Sequence, residues 1–207
     1  MRITGVFIIG IFLLLTACTP EQTYQKDRSN KTELTIKPYK LNAKEKELIM
    51  FTGIQDIQYF ELDGSLGEED DLQKTIEVYE NGKQVENEPF SSNQMEHLFK
   101  HSLLSFGFTS DDEEKLKFIH GSEGGTFTMM NDFVSGGYTF ASLLSTKTTL
   151  EKGQPIYLYA IAGTQDGQIS GLSLDENGKP SGGILEADKA YVFKVTVTDR
   201  EALQSTE

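Results

Sequence analysis

Residues 189–198 read KAYVFKVTVT, and every second side chain from Tyr191 to Val197 is apolar: Tyr191, Phe193, Val195 and Val197. Successive side chains of a strand point to opposite faces, so a period of two fixes a strand with one face on a core. The interleaved Val192, Lys194, Thr196 and Thr198 are expected to face solvent. Residues 72–80 (LQKTIEVYE) repeat the pattern, with Leu72, Lys74, Ile76 and Val78 on one face and Ile76 and Val78 as its core residues. Asn81-Gly82 then predicts a type I′ hairpin turn, because both central positions need positive φ. Lys83–Glu88 returns as a short polar edge strand.

The same signature recurs along the chain. Strands are predicted at 54–63, at 103–109 (Leu104, Phe106 and Phe108 alternating with small residues) and at 115–120 after an Asp111–Glu114 turn. Weaker strands are predicted at 125–130 and 137–144, with Gly136-Gly137 between them. Residues 156–162 (IYLYAIA) are apolar on both faces, as a central strand requires. A strand at 168–174 and a second turn at Asn177-Gly178 complete the set. Many short strands with turns between them, and no alternation with helices, predict an antiparallel β-sandwich, immunoglobulin-like or similar. One short N-terminal helix is predicted at 43–52. Asn42 and Glu45 have capping-box spacing, Leu48 and Ile49 form an apolar face, and Gly53 suits the stop.

The N-terminus carries an address. Arg2 is the only charge before residue 21, and Ile3–Leu15 is mostly apolar but too short for a membrane span. A positive start, an apolar centre and a small-residue end describe a secretory signal peptide. Its end, Leu15-Thr16-Ala17-Cys18, matches the lipobox of bacterial lipoproteins, and Cys18 is the one cysteine of the chain. By that resemblance Cys18 is acylated on sulfur and becomes the first mature residue, leaving the protein held on the extracytoplasmic face of the cell membrane. Two acyl chains anchor stably where one does not. The predicted organisation is therefore a signal peptide at 1–17, the lipidated cysteine and a polar tether at 18–40, a β-sandwich at 41–200 and a C-terminal tail at 201–207.

The KEKEL segment at 44–48, the ENGK turns at 80–83 and 176–179, and PIYLYAIAG at 155–163 resemble small lipoproteins of Bacillus-like Gram-positive bacteria. The resemblance implies a cell-surface setting and a sandwich-like fold, and carries over no catalytic residue.

Charge narrows the partners. The 207 residues hold 19 Lys and Arg against 32 Asp and Glu, a formal charge of -13. Nucleic acid is excluded, since phosphate binding needs Lys and Arg. The expected partners are the membrane, through Cys18, and a basic protein or envelope component. The acidic turns Glu68–Asp71 and Asp111-Asp112-Glu113-Glu114 are the candidate contact residues, through long-range attraction of cations.

Catalytic patterns are few. No serine sits in Gly-x-Ser-x-Gly, and His120-Gly121-Ser122-Glu123-Gly124-Gly125 reads as a turn between strands. His97 and His101, four apart, would share one face of a helix and hold a metal with a third ligand such as His120. On a strand the rings would separate. Neither acidic turn has the alternating ligands of a calcium loop. There is no Trp for a sugar platform; Tyr138, Tyr157 and Tyr159 are the aromatic candidates, against a packing role. The sequence implies no cofactor. It favours a non-catalytic binding or accessory role, with a metal-dependent envelope enzyme using His97 and His101 as the alternative.

Overall fold

The computed structural model describes residues 31–91, 97–112, 115–134 and 136–200. The elements run β1 (Glu33–Pro38), α1 (Ala43–Met50), β2 (Asp56–Ser65), β3 (Asp70–Glu80), β4 (Lys83–Ser91), β5 (Leu98–Asp112), β6 (Lys115–Ser122) and β7 (Gly125–Asp132). They continue with β8 (Gly137–Ser142), β9 (Thr148–Thr149), β10 (Ile156–Thr164), β11 (Leu172–Leu174), β12 (Pro180–Gly182), α2 (Gly183–Glu186) and β13 (Lys189–Asp199).

Two antiparallel sheets face each other, in the orders β7-β6-β5-β2-β1-β9 and β4-β3-β13-β10-β8. This is the antiparallel sandwich that the alternation predicts. Tyr191 of β13 packs edge-on against Phe118 of β6, Phe193 contacts Phe118 and Phe106 of β5, and Val197 bridges to Lys152 beyond β9. The core between the sheets includes Leu34, Ile36, Phe60, Leu62, Phe106, Phe108 and Leu158, all fully buried.

The first correction concerns the start of the domain. Residues 33–38, expected in the tether, form β1, paired to β2 from Glu33↔Ser65 to Pro38↔Phe60 and to β9 on its other side. Leu34 and Ile36 alternate with polar residues and are 0% exposed. Two apolar positions suffice for a strand when both lie in the core, and polar neighbours disguised them.

The helix forms where its cap predicts. The Asn42 side chain accepts from the Lys44 and Glu45 amides, and the Glu45 carboxylate accepts from the Asn42 amide. The expected apolar face does not pack, however, because α1 buries none of its residues.

Two further corrections lie on the second sheet. Ala190 and Val192 of β13 lie on the side expected to meet solvent, yet both are 0% exposed. They are covered by a third layer, which the β11–β12 hairpin and α2 form through Leu172, Leu174, Ile184 and Ala187. The strand expected at 168–174 shrinks to β11, whose partner β12 makes only a three-residue ladder. Lys74 shares the core face of β3 as the alternation requires, and is itself buried.

Candidate functional site

A cleft of about 960 Å³ opens where β1, β9 and the start of β3 meet. Its floor is Asp70, which is buried. Thr32 Oγ1 donates to Asp70 Oδ2 at 2.5 Å, and Lys152 Nζ donates to Oδ1 at 2.6 Å. Lys152 also reaches Asp199 Oδ1 at 2.6 Å. Burial would raise the Asp70 carboxyl, but the Lys152 and Thr32 hydrogen bonds, with the charges of Lys152 and Arg200, outweigh it and hold it below the usual range. Hydrogen bonds to Asp199 and Asp70 push the Lys152 ammonium upward. Both Asp70 oxygens are occupied, so the floor fixes structure. The rim is negative: Glu33, Glu68, Glu69 and Glu151 are exposed around it, with Lys31. Such a rim suits a cationic group held by attraction.

The acidic turn expected at 68–71 is therefore divided. Glu68 and Glu69 are exposed, while Asp70 and Asp71 are buried at the start of β3, which corrects the reading of a solvated loop. Asp111 and Asp112 end β5, and their side chains, like Glu113 and Glu114, lie outside the described residues. Cys18 does as well.

The histidine pair is not helical. Leu98 to His101 belongs to β5, where four residues span about 13 Å. His97 Nε2 lies 2.7 Å from Arg200 Nη2. His101 Nδ1 lies 2.7 Å from Glu61 Oε1. Lys37 also binds Glu61, and the His101 and Lys37 hydrogen bonds hold that carboxyl below its ordinary range. His101 has a φ of 55° where β5 bulges: Lys100 and His101 sit between the Leu62↔Ser102 and Gly64↔Phe99 pairs. A non-glycine residue reaches that region at a cost, here alongside the Glu61 contact. His120 faces the core, stacked on Phe106 at 4.8 Å, with Nδ1 3.0 Å from the Ser105 carbonyl oxygen. Among the described residues no three His, Cys, Asp or Glu side chains are grouped to hold a metal.

Of the three tyrosines, Tyr157 and Tyr159 are buried. The Tyr159 hydroxyl donates to Asp56 Oδ2 at 2.8 Å. The Tyr157 and Tyr79 hydroxyls both donate to buried Glu77, which also holds Lys194 Nζ. Burial first, and then Glu77, pushes both phenols up. Tyr138 alone is open, at 43% exposure, beside Phe140 at 42%, both against Phe108. The HGSEGG segment forms the β6–β7 turn, closed by the Ser122↔Gly125 pair.

Sequence reasoning missed the Asp70–Lys152–Asp199 clamp. The first two residues stand 82 positions apart, and no local pattern joins them.

Fold and cleft together define a two-sheet antiparallel β-sandwich with a polar cleft at one end. The chain belongs to the YgaN domain family, which it matches over residues 35–197, from within β1 to within β13. No curated protein and no solved structure matches it.

Proposed function

We propose that this protein is a lipid-anchored extracytoplasmic lipoprotein with a non-catalytic binding or accessory role at the cell envelope. The observation that carries the reading is Leu15-Thr16-Ala17-Cys18, closing an apolar run and containing the single cysteine. The binding part is supported by the acidic rim over a floor whose carboxylate is already engaged, an arrangement suited to holding a cationic surface. The partner is a basic protein or envelope component, and Asp111, Asp112, Glu113 and Glu114 are a second acidic contact. The metal-enzyme alternative finds no support in the placement of His97 and His101, whose rings serve Arg200 and Glu61.

Two measurements test this. Labelled fatty acid should enter the wild-type protein and not Cys18→Ser; equal labelling of both would remove the anchor. A membrane pull-down with the intact lipoprotein should recover a basic partner, released as salt rises, because exposed charges are screened within about 8 Å at physiological ionic strength. Glu68→Gln with Glu69→Gln should weaken that recovery, and so should neutralising residues 111–114. Unchanged recovery and salt dependence in both variants would sink the acidic contact.

A further inference from the structure

The two main sheets end in four edge strands, β7, β9, β4 and β8. An edge presents unpaired N–H and C=O groups and is a template for another strand unless something blunts it. Three of these edges are blunted. β9 is two residues long. β4 carries Lys83, Glu86, Glu88 and Pro89, and its ladder to β3 shifts register twice. β8 has six residues, and other backbone closes on the glycines at its start. A Cβ on Gly136 would lie 2.0 Å from the Thr164 carbonyl oxygen, and one on Gly137 2.8 Å from the Gly167 Cα.

β7 has none of these devices. Its eight residues pair with β6 in an unbroken register, from Ser122↔Gly125 to Lys115↔Asp132. It holds no proline and no lysine, and its one charge is the last residue, Asp132. Phe127 and Met130 are 44% and 52% exposed. The loop between β6 and β7 is Glu123-Gly124, so Ser122 and Gly125 exchange hydrogen bonds as the closing pair. Such pairs recur at every second position of an antiparallel ladder. Thr126, Thr128 and Met130 therefore turn their N–H and C=O groups away from β6. No described residue bonds to these groups.

A row of open backbone groups takes an extended strand. Charge selects a second copy of the same strand. Thr126–Asn131 is uncharged on a chain of formal charge -13, so β7 meets itself without like charges along the seam. The charges bordering β7 are Lys115 and Lys117 of β6, Asp132, and Glu123 of the turn, two of each sign. Direction follows from the acidic run that begins at Asp111. Asp112 pairs with Lys115, which pairs with Asp132, so this run lies at the Asp132 end of β7. Antiparallel pairing brings that end beside Gly125 of the second copy. The two runs are then held at opposite ends of the seam, separated by about 20 Å of strand. Screening acts within about 8 Å. The acidic cleft lies with β1 and β9 at the other edge of the sheet and stays open in both copies.

We propose that two copies of this protein pair antiparallel through β7, with Thr128 on the two-fold axis, joining their six-stranded sheets into one. Thr126 of each copy then faces Met130 of the other.

Disulfide cross-linking of the full-length protein with oxidised glutathione tests this. The wild-type chain, with Cys18 alone, sets the background. Thr128→Cys should form a covalent dimer, because directly opposed residues have Cβ atoms about 4.5–5.5 Å apart. Thr126→Cys and Met130→Cys should cross-link when mixed and not singly, since like positions lie about 13 Å apart in this register. Val85→Cys, 49% exposed on β4, should stay at background. Thr128→Lys opposes two cations across the axis. It should convert the dimer to monomer in sedimentation equilibrium, in density-matched detergent, with an unchanged far-UV spectrum. A wild-type chain that sediments as a monomer overturns the pairing. So does Thr126→Cys cross-linking alone as well as it does in the mixture. Slow amide exchange at Thr126, Thr128 and Met130 in a monomer also overturns it, and would give the edge to a segment of the same chain.

Discussion

Lys152 meets Asp70 across 82 positions of chain, with its ammonium 2.6 Å from Oδ1 and 2.6 Å from the Asp199 carboxylate. The contact ties the segment after β9 to the start of β3 and the end of β13. The backbone repeats the tie, since the Gly153 amide donates to the Val197 carbonyl at 2.8 Å.

Asp70→Ala should therefore destabilise the domain by about 2–3 kcal/mol, since it leaves Thr32 and Lys152 facing an empty floor. Lys152→Ala should cost less than Asp70→Ala, because its side chain is 45% exposed and its ion pairs are partly screened by solvent. Urea unfolding at pH 7 measures both. An Asp70→Ala variant within 0.5 kcal/mol of wild type would show that the clamp does not hold the sheets.

A second prediction concerns acid. Burial first, then the nearby Lys74 charge, pushes the His120 imidazole from 6.5 down to about 4. Between these values the unfolded chain binds a proton that the folded chain refuses, so stability rises with pH across that window. It is complete above about pH 6.5 and falls on acidification toward pH 4, by about 3 kcal/mol in all. His120→Leu should flatten the dependence of the urea midpoint between pH 4.5 and 6.5. A variant that keeps the wild-type slope would assign it to another group.

The inward faces of the strands were legible in sequence, because every second apolar side chain meets the core between the two sheets. Phe193 and Val195 of β13, and Ile76 and Val78 of β3, are buried as expected. The outward faces were not, since a third layer covers Val192 of β13 and Tyr79 of β3, where alternation alone predicts solvent. β1 offered only Leu34 and Ile36, and its burial depends on β2 and β9, which are distant in sequence. The site was less legible still. Asp70 and Asp71 look like the neighbouring Glu68 and Glu69, and only the strand boundary separates buried from exposed.

The β1 correction has a direct test. A chain starting at Lys31 should unfold cooperatively with a β-type far-UV spectrum. One starting at Leu41 loses two fully buried aliphatic side chains, each contributing about 1.5–3 kcal/mol, and exposes the β2 and β9 edges. Against a typical total of about 5–15 kcal/mol, that loss should abolish the cooperative transition. A cooperative transition in the shorter chain would return residues 31–40 to the tether.

The two ENGK turns read alike in sequence and should respond differently to substitution. Gly82 has a φ of 77° and Gly178 a φ of 72°, so alanine at either position is strained. A Cβ on Gly178 meets nothing within 4 Å, whereas one on Gly82 would lie 2.5 Å from the Leu185 carbonyl oxygen of α2. Gly178→Ala should thus cost about 1 kcal/mol, the conformational penalty alone. Gly82→Ala should cost about 2–4 kcal/mol, because the backbone of α2 must move as well. Asparagine separates the two causes, since it tolerates positive φ yet carries a Cβ. Gly178→Asn should unfold close to wild type in urea, while Gly82→Asn should remain destabilised. Equal losses in the two asparagine variants would mean that α2 yields freely, and that the third layer adds nothing to the β3–β4 turn beyond its own geometry.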